Sequence, residues 1–250
     1  MYDRINSDDV ESLCNKIQQI TINNNNVMNH DTNKIIHNYF NQGIKGQEIL
    51  LNTLINRRII KKDTLLLIDG LIFDYLMLSQ NQQITDKLNS MFPTGIVQLK
   101  SSLKLNYETL QKLLIHKKFK EADKLTQEHL CNLAGLYSKN KRTWLYFTDI
   151  SFIPSEDLCT LDLLWQIYSR GKFGFSIQRK IWILNNYNWE KFWVQIGWVN
   201  KGIMRRYPQE FIWNINAPAG HLPLFNQLRG NQVLSSLFEH IAWTTNKSIK

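Results

Sequence analysis

The sequence predicts an all-α protein in two parts, an N-terminal helical bundle followed by a C-terminal all-helical core. Three observations carry this. Apolar residues recur at three- and four-residue spacing along most of the chain, as in Ile35, Ile36, Tyr39 and Phe40, which places them on one face of a helix. Short polar or Pro- and Gly-containing breaks interrupt that spacing. Composition changes near residue 100: residues 1–100 carry ten basic and ten acidic side chains, residues 101–250 twenty and eleven, and all eight tryptophans lie in the second part. The net charge of +9 therefore belongs to the second part alone, and the chain is expected to divide into a bundle over 1–98, a core domain over 104–243 and a tail over 244–250.

In the first part the spacing predicts helices over Asp8–Thr21, Asp31–Gln42, Lys45–Arg57, Thr64–Ser79 and Ile84–Met91. The Asn23–Asn26 run is a loop, Asp31-Thr32 and Asp63-Thr64 are candidate N-caps, and Phe92-Pro93-Thr94-Gly95 stops the last helix. A helical pair opens the second part, with Lys117-Lys118 in its turn. Pro154-Ser155-Glu156-Asp157 begins the next helix, which carries Leu158, Leu161, Trp165 and Tyr168 and ends at Ser169-Arg170-Gly171. Ser176 is the expected cap of a helix over Ile177–Leu184, and further turns are expected at Trp189–Ile196 and Asn231–Ala242. Between those two, residues 198–229 are aromatic and irregular, and so long an irregular segment is usually functional.

Several chemistries find no support. Cys14, Cys131 and Cys159 lack the spacing of a disulfide framework or a thiolate metal site, and Cys131 and Cys159 read as small core residues. The acidic start resembles neither a secretory signal nor a transit peptide, and Asp69 and Asp74 break the longest apolar run. Nucleotide-binding glycine motifs, a nucleophile elbow and H-E-x-x-H are absent, and the six histidines show no ligand spacing. Glu156, Asp157 and Asp162 read as helix-terminal or solvated acids rather than as an acid and base pair. The expectation is a non-catalytic protein without a resident metal.

What remains is a basic, aromatic surface. Trp165, Phe173, Phe175, Trp182, Trp189, Trp193, Trp198, Tyr207, Phe211 and Trp213 exceed what a core needs, and Arg205, Arg206 and Arg229 lie among them. Rings cover a flat π-system while guanidinium forks take anionic groups. Stacked nucleobases on a phosphate chain and a porphyrin with propionates both satisfy that description, so a sequence-tolerant RNA-binding protein stands beside a porphyrin-binding one.

Leu158-Cys-Thr-Leu-Asp-Leu-Leu-Trp165-Gln-Ile-Tyr-Ser169-Arg-Gly171-Lys-Phe173-Gly174-Phe175-Ser176-Ile-Gln178, Ile196-Gly197-Trp198 and Ala217-Pro-Ala-Gly-His-Leu-Pro-Leu-Phe-Asn-Gln-Leu-Arg-Gly230 resemble the genomes uncoupled four family, the porphyrin-binding activators of magnesium chelatase. The resemblance covers roughly residues 104–243, and the first hundred residues resemble the helical module of cyanobacterial members. It implies a cupped-hand core that holds protoporphyrin IX or magnesium protoporphyrin IX as ligand, not as prosthetic group. It further implies action on the large, porphyrin-binding subunit of magnesium chelatase in chlorophyll biosynthesis, with no nucleic-acid partner. A plastid stromal or cyanobacterial cytoplasmic location, peripheral membrane association and a monomeric state go with it.

Carried onto this sequence, the family's porphyrin contacts fall on Asn226 and Arg229, with Tyr207 where a loop tryptophan is usual and Phe147 and Ile150 on a second loop. Gln232 stands where a relative has a second arginine, a change that either weakens binding or is offset by Arg205 and Arg206, and Phe211 belongs to the same aromatic surface. The motif from Trp165 to Gln178 is expected to build the hand rather than to touch the ligand.

Overall fold

The computed structural model describes residues 7–24, 30–136, 142–224 and 231–245. The chain divides into two compact units, residues 1–97 and 98–250.

In the first unit, α3 (Ile44–Ile55) packs against α1 (Ser7–Asn24), α2 (His30–Phe40), α4 (Leu67–Leu76) and α5 (Gln82–Met91). Leu13, Ile17, Ile36, Leu50, Leu54, Leu71, Leu76 and Leu88 are shut off from water. Each such side chain stabilises by about 1.5–3 kcal/mol relative to an exposed one.

Two expected caps are corrected. Helix α2 begins at His30, so Asp31 lies inside its first turn and Thr32 is buried within it. Residues 62–66 are not helical, and α4 starts at Leu67, where Asp69 Oδ2 accepts the Leu66 N–H at 2.9 Å from within the helix. Asp69 also grips the end of α3. That helix continues as a π turn over Asn56–Ile60, whose buried Arg57 meets Asp69 through Nε and Nη2 at 2.7 and 3.2 Å. One acid thus starts one helix and ends another, a position from which it could not be replaced by an uncharged residue without stranding Arg57.

In the second unit, α6 (Glu108–Ile115) and α7 (Phe119–Leu133) pack as a pair across a turn in which Lys117 takes a left-handed φ of 57°. Helix α8 (Ser155–Tyr168) is buried over most of its circumference. Its Trp165 indole N–H donates to Thr126 Oγ1 at 3.0 Å, and its Tyr168 hydroxyl to Gln111 Oε1 at 2.9 Å. Phe119 stacks on Trp165 and meets Phe173 edge-on. A 3-10 turn over Phe147–Phe152 packs against α11 (Gln232–Phe238), and α12 (Ala242–Thr245) reaches two residues into the expected tail.

The acids of α8 behave otherwise than expected. Pro154, without a side-chain cap, precedes the helix; Asp157 is fully buried and accepts the Tyr107 hydroxyl at 2.7 Å and the Ser102 N–H at 2.9 Å. Asp162 is buried rather than solvated. Its carboxylate takes the Ser176 N–H at 2.9 Å and so caps α9 (Phe175–Leu184), which Ser176 itself does not cap. Burial pushes Asp162 up from the ordinary carboxylate range, against the hydrogen bonds from Ser176 and Gln166.

After α10 (Trp189–Gln195) comes a hairpin that the periodicity does not predict. Strands β1 (Val199–Asn200) and β2 (Ile203–Met204) pair antiparallel, Val199 opposite Met204, through a Lys201-Gly202 turn with both residues at positive φ. Two left-handed residues give the twist that a two-residue hairpin requires. With that exception the described residues are helical or irregular, and the all-α class holds.

Candidate functional site

The long irregular stretch is held in place by the signature that precedes it. Gly220 N–H donates to the Lys172 carbonyl at 2.7 Å, and Gly174 N–H to the Leu222 carbonyl at 3.0 Å. Gln178 Nε2 reaches two more carbonyls, Gly220 at 3.0 Å and Pro223 at 2.8 Å. Lys172 Nζ donates to the Ile215 carbonyl at 2.7 Å. Gly174 is obligatory here: its φ is 132°, and a Cβ would stand 2.7 Å from Asp162 Oδ1.

His221 closes the bracket from the other side. Its Nδ1 lies 2.7 Å from the Ile196 carbonyl and its Nε2 accepts the Ile212 N–H at 3.1 Å, which requires the neutral Nδ1–H tautomer. Burial lowers its pKa, with the nearby Arg205 charge acting in the same direction. Trp198 completes the tie, its indole N–H donating to the His221 carbonyl.

On this support stands a ladder of rings. Phe238 meets Phe192 at 5.8 Å between centroids, Phe192 meets Trp198 at 6.4 Å, Trp198 meets Phe211 at 6.4 Å, Phe211 meets Trp213 at 6.3 Å and Trp213 meets Tyr207 at 6.0 Å. Most of these contacts are edge-on or tilted, as ring quadrupoles prefer. Burial falls along the ladder: Phe238, Phe192 and Trp198 are core, Trp213 is half-buried, and Tyr207 is 43% exposed. The ladder therefore begins in the core and surfaces at Tyr207.

Cations stand beside that open end. Arg205 N–H pairs with the Trp198 carbonyl beyond the hairpin, Arg205 Nη1 donates to the Glu210 carbonyl, and the Arg206 N–H donates to Glu210 Oε2 at 2.8 Å. Arg206 is exposed. The exposed Ile203 lies in the same hairpin.

The site residues expected from the sequence are placed unequally. Tyr207 and Arg206 share one exposed loop, and Phe147, half exposed, lies in the 3-10 turn that packs against the helix opened by the exposed Gln232. Ile150 and Phe211, expected at the ligand surface, are instead buried, 2% and 5% exposed, because their apolar side chains pack into the core. Asn226 and Arg229 lie outside the described residues.

Sequence reasoning overlooked Asp123. It is buried on α7, accepts the Leu224 N–H at 2.6 Å, and burial pushes it up to about 8. Burial and the Asp123 charge together raise the Tyr207 hydroxyl, which places the two groups within each other's field. The signal was present: Asp123 follows Phe119 by four residues and precedes Thr126 by three, on the face that carries Ala122 and Leu130.

Among the described residues no group of three His, Cys, Asp or Glu side chains could hold a metal ion, and no helix is long and apolar enough to cross a membrane. At the open end of the ladder an exposed ring, Tyr207, follows an exposed cation, Arg206.

An all-helical protein with an aromatic ladder surfacing beside arginines is the class defined by this architecture. Residues 100–241 match the family described as GUN4-like, and the chain belongs to that family. It is similar to the Ycf53 protein of Porphyra purpurea, 53% identical over 176 residues that cover 70% of this chain and 74% of that one. The chloroplastic tetrapyrrole-binding protein of Arabidopsis thaliana is 35% identical over 148 residues, 56% of each chain. The solved structure of GUN4 from Chlamydomonas reinhardtii superposes with a TM-score of 0.54 at 41% identity, over 59% of this chain and 96% of that one.

Proposed function

We propose that this protein binds protoporphyrin IX or magnesium protoporphyrin IX through the surface that opens at Tyr207 and, without catalysis of its own, activates magnesium chelatase by acting on its porphyrin-binding subunit. The observation that carries the reading is the exposed Tyr207 ring at the end of the ladder, beside Arg206, in a chain whose Arabidopsis relative is a tetrapyrrole-binding protein. In this reading Tyr207 and Phe147 cover ring faces and Arg206, Gln232, Asn226 and Arg229 meet the carboxylates. The chloroplastic relative of Arabidopsis and a Ycf53-like relative in the cyanobacterium Synechocystis support a plastid or cyanobacterial setting.

Covering about 300 Å² of apolar ring at about 25 cal/mol per Å² contributes roughly 7 kcal/mol before charge-assisted contacts are added. Association costs several kcal/mol, so a dissociation constant near micromolar follows, which suits a carrier that must release its ligand.

Titration of the intrinsic tryptophan fluorescence with deuteroporphyrin tests the binding step. Saturable quenching is expected, and no quenching at concentrations of order ten micromolar overturns the reading. Arg229→Ala is expected to weaken binding more than Arg179→Ala, because Arg179 Nε is already spent on the Phe238 carbonyl. For the regulatory step, the protein is expected to lower the porphyrin or Mg²⁺ concentration that reconstituted chelatase requires.

A further inference from the structure

The turn between α6 and α7 is a fixed corner. Lys117, at φ 57°, takes the left-handed place that glycine usually fills at a helix end, and its N–H and that of Lys118 return to the Leu114 and Leu113 carbonyls. The Lys117 side chain has a use inside the fold: its Nζ donates to the Tyr168 carbonyl at 2.6 Å and fastens the corner to the end of α8.

Other lysines crowd the same corner without such a use. Residues 112–124 hold five lysines against two acids, and one of those acids, Asp123, is buried on the Leu224 N–H. Lys112, Lys118, Lys120 and Lys124 are exposed. Lys124 reaches Glu128 only at 4.0 Å, and among the described residues Lys112, Lys118 and Lys120 form no ion pair. By contrast, Arg142, Lys172, Arg179 and Arg205 of this unit are held by Asp149 and by the Ile215, Phe238 and Glu210 carbonyls. Like charges at four-residue spacing, as at Lys120 and Lys124, destabilise a helix. The cluster therefore lowers stability unless an anion from outside the chain answers it.

We infer that the α6–α7 corner is a docking surface for an acidic segment of another protein. The identity of that protein rests on the reading above: it is the chelatase subunit that takes the porphyrin. The chemistry of the corner favours a protein over other polyanions. Between residues 104 and 136 no large apolar side chain is exposed, so nothing there can enter a bilayer or stack on bases. The cations are lysines, compact point charges that suit scattered carboxylates, rather than the arginine forks that grip a phosphate at two oxygens. Contacts between exposed charges speed encounter more than they deepen affinity, which suits a carrier that must meet its acceptor and leave.

Association of the full chain, loaded with deuteroporphyrin, with the isolated porphyrin-binding subunit of magnesium chelatase tests this at about 0.02 M and about 0.2 M salt. The wild type stands beside a charge-reversed triple, Lys112→Glu, Lys118→Glu and Lys120→Glu, and a charge-keeping triple with arginine at the same positions. The wild-type association rate is expected to fall roughly tenfold from the lower to the higher salt. The glutamate triple is expected to associate roughly tenfold more slowly at the lower salt and to need more protein to stimulate the chelatase, with deuteroporphyrin affinity unchanged. The arginine triple is expected to behave as the wild type does. A glutamate triple that associates and stimulates normally overturns the docking corner and leaves the tetrapyrrole reading intact, and its loss of binding to phosphatidylglycerol vesicles alone would assign the lysines to a lipid surface instead. A glutamate triple that loses deuteroporphyrin in step with the subunit also overturns the corner, since its lysines then serve the ligand. A wild type that binds deuteroporphyrin but neither associates with the subunit nor stimulates the enzyme overturns the corner together with the regulatory half of the reading. A glutamine triple, which only removes charge, gives the same comparison where the glutamate triple does not fold.

Discussion

Trp198 and His221 are locked to each other through the backbone: the indole N–H donates to the His221 carbonyl at 2.8 Å, while the His221 ring ties Ile196 to Ile212. The buried tryptophan of the ladder and the imidazole that braces its loop therefore stand or fall together.

A first prediction concerns acid. Protonating His221 would put a hydrogen on Nε2, where the Ile212 N–H already points, so the folded state holds the ring neutral. The unfolded chain takes up that proton near its ordinary value of about 6.5, so the stability contributed is present above that pH and is lost as pH falls from it toward the lower folded value. Nitrogen-15 shifts are expected to report the neutral Nδ1–H tautomer at pH values near 6; an imidazolium there would contradict the assignment.

Two glycines should differ sharply. Gly174→Ala sets a left-handed backbone against a 2.7 Å contact with Asp162, so its cost should exceed the roughly 1–2 kcal/mol of the backbone alone. Gly202→Ala, at φ 79° with nothing within 4 Å of the added carbon, should cost only that backbone amount. Urea unfolding of both variants measures the difference.

Asp69→Asn should be among the most damaging changes in the first unit. Burial pulls the Arg57 guanidinium down, but the Asp69 carboxylate outweighs that and holds it above its usual value. Removing the carboxylate charge leaves a buried cation facing an amide and only a 3.4 Å contact to Asp63, at a cost of about 3–5 kcal/mol in thermal or urea melts.

Tyr207 and Phe211 occupy neighbouring rungs of one ladder and should separate binding from stability. Tyr207→Ala removes a ring 43% exposed and is expected to weaken porphyrin binding by about tenfold, near 1.4 kcal/mol, with little change in melting temperature. Phe211→Ala empties a buried position and should cost about 3–5 kcal/mol of stability. Paired fluorescence titrations and melts would expose an error if the two variants behaved alike.

The helices were legible because three- and four-residue spacing is a local property, and α1 through α5 appear close to where Leu13, Ile36, Leu50 and Leu88 place them. The caps were less legible. Asp162 serves the Ser176 N–H fourteen residues away, and nothing near Asp162 in sequence distinguishes it from a solvated acid. The hairpin at Val199–Met204 escaped because two-residue strands have no measurable alternation, although Lys201-Gly202 marks a turn. At the candidate site, composition could gather Tyr207 and Phe211, and the resemblance Ile150, but neither could say which faced water, since that depends on what packs behind each. Asp123 is the reverse case: its helical position points inward, whereas a carboxylate is ordinarily a surface group.

The bracket formed by Gly174, Gln178, Gly220 and Leu222 joins backbone groups to one another and to the Gln178 amide, and none of its bonds needs a ligand. The residues by which the family is recognised are therefore a fingerprint of scaffold, while Tyr207, Arg206 and Gln232, at the exposed edge, are free to drift without erasing it. On the proposed reading, exchanging those edge residues would change which flat anion is held while every hydrogen bond of the bracket stayed in place.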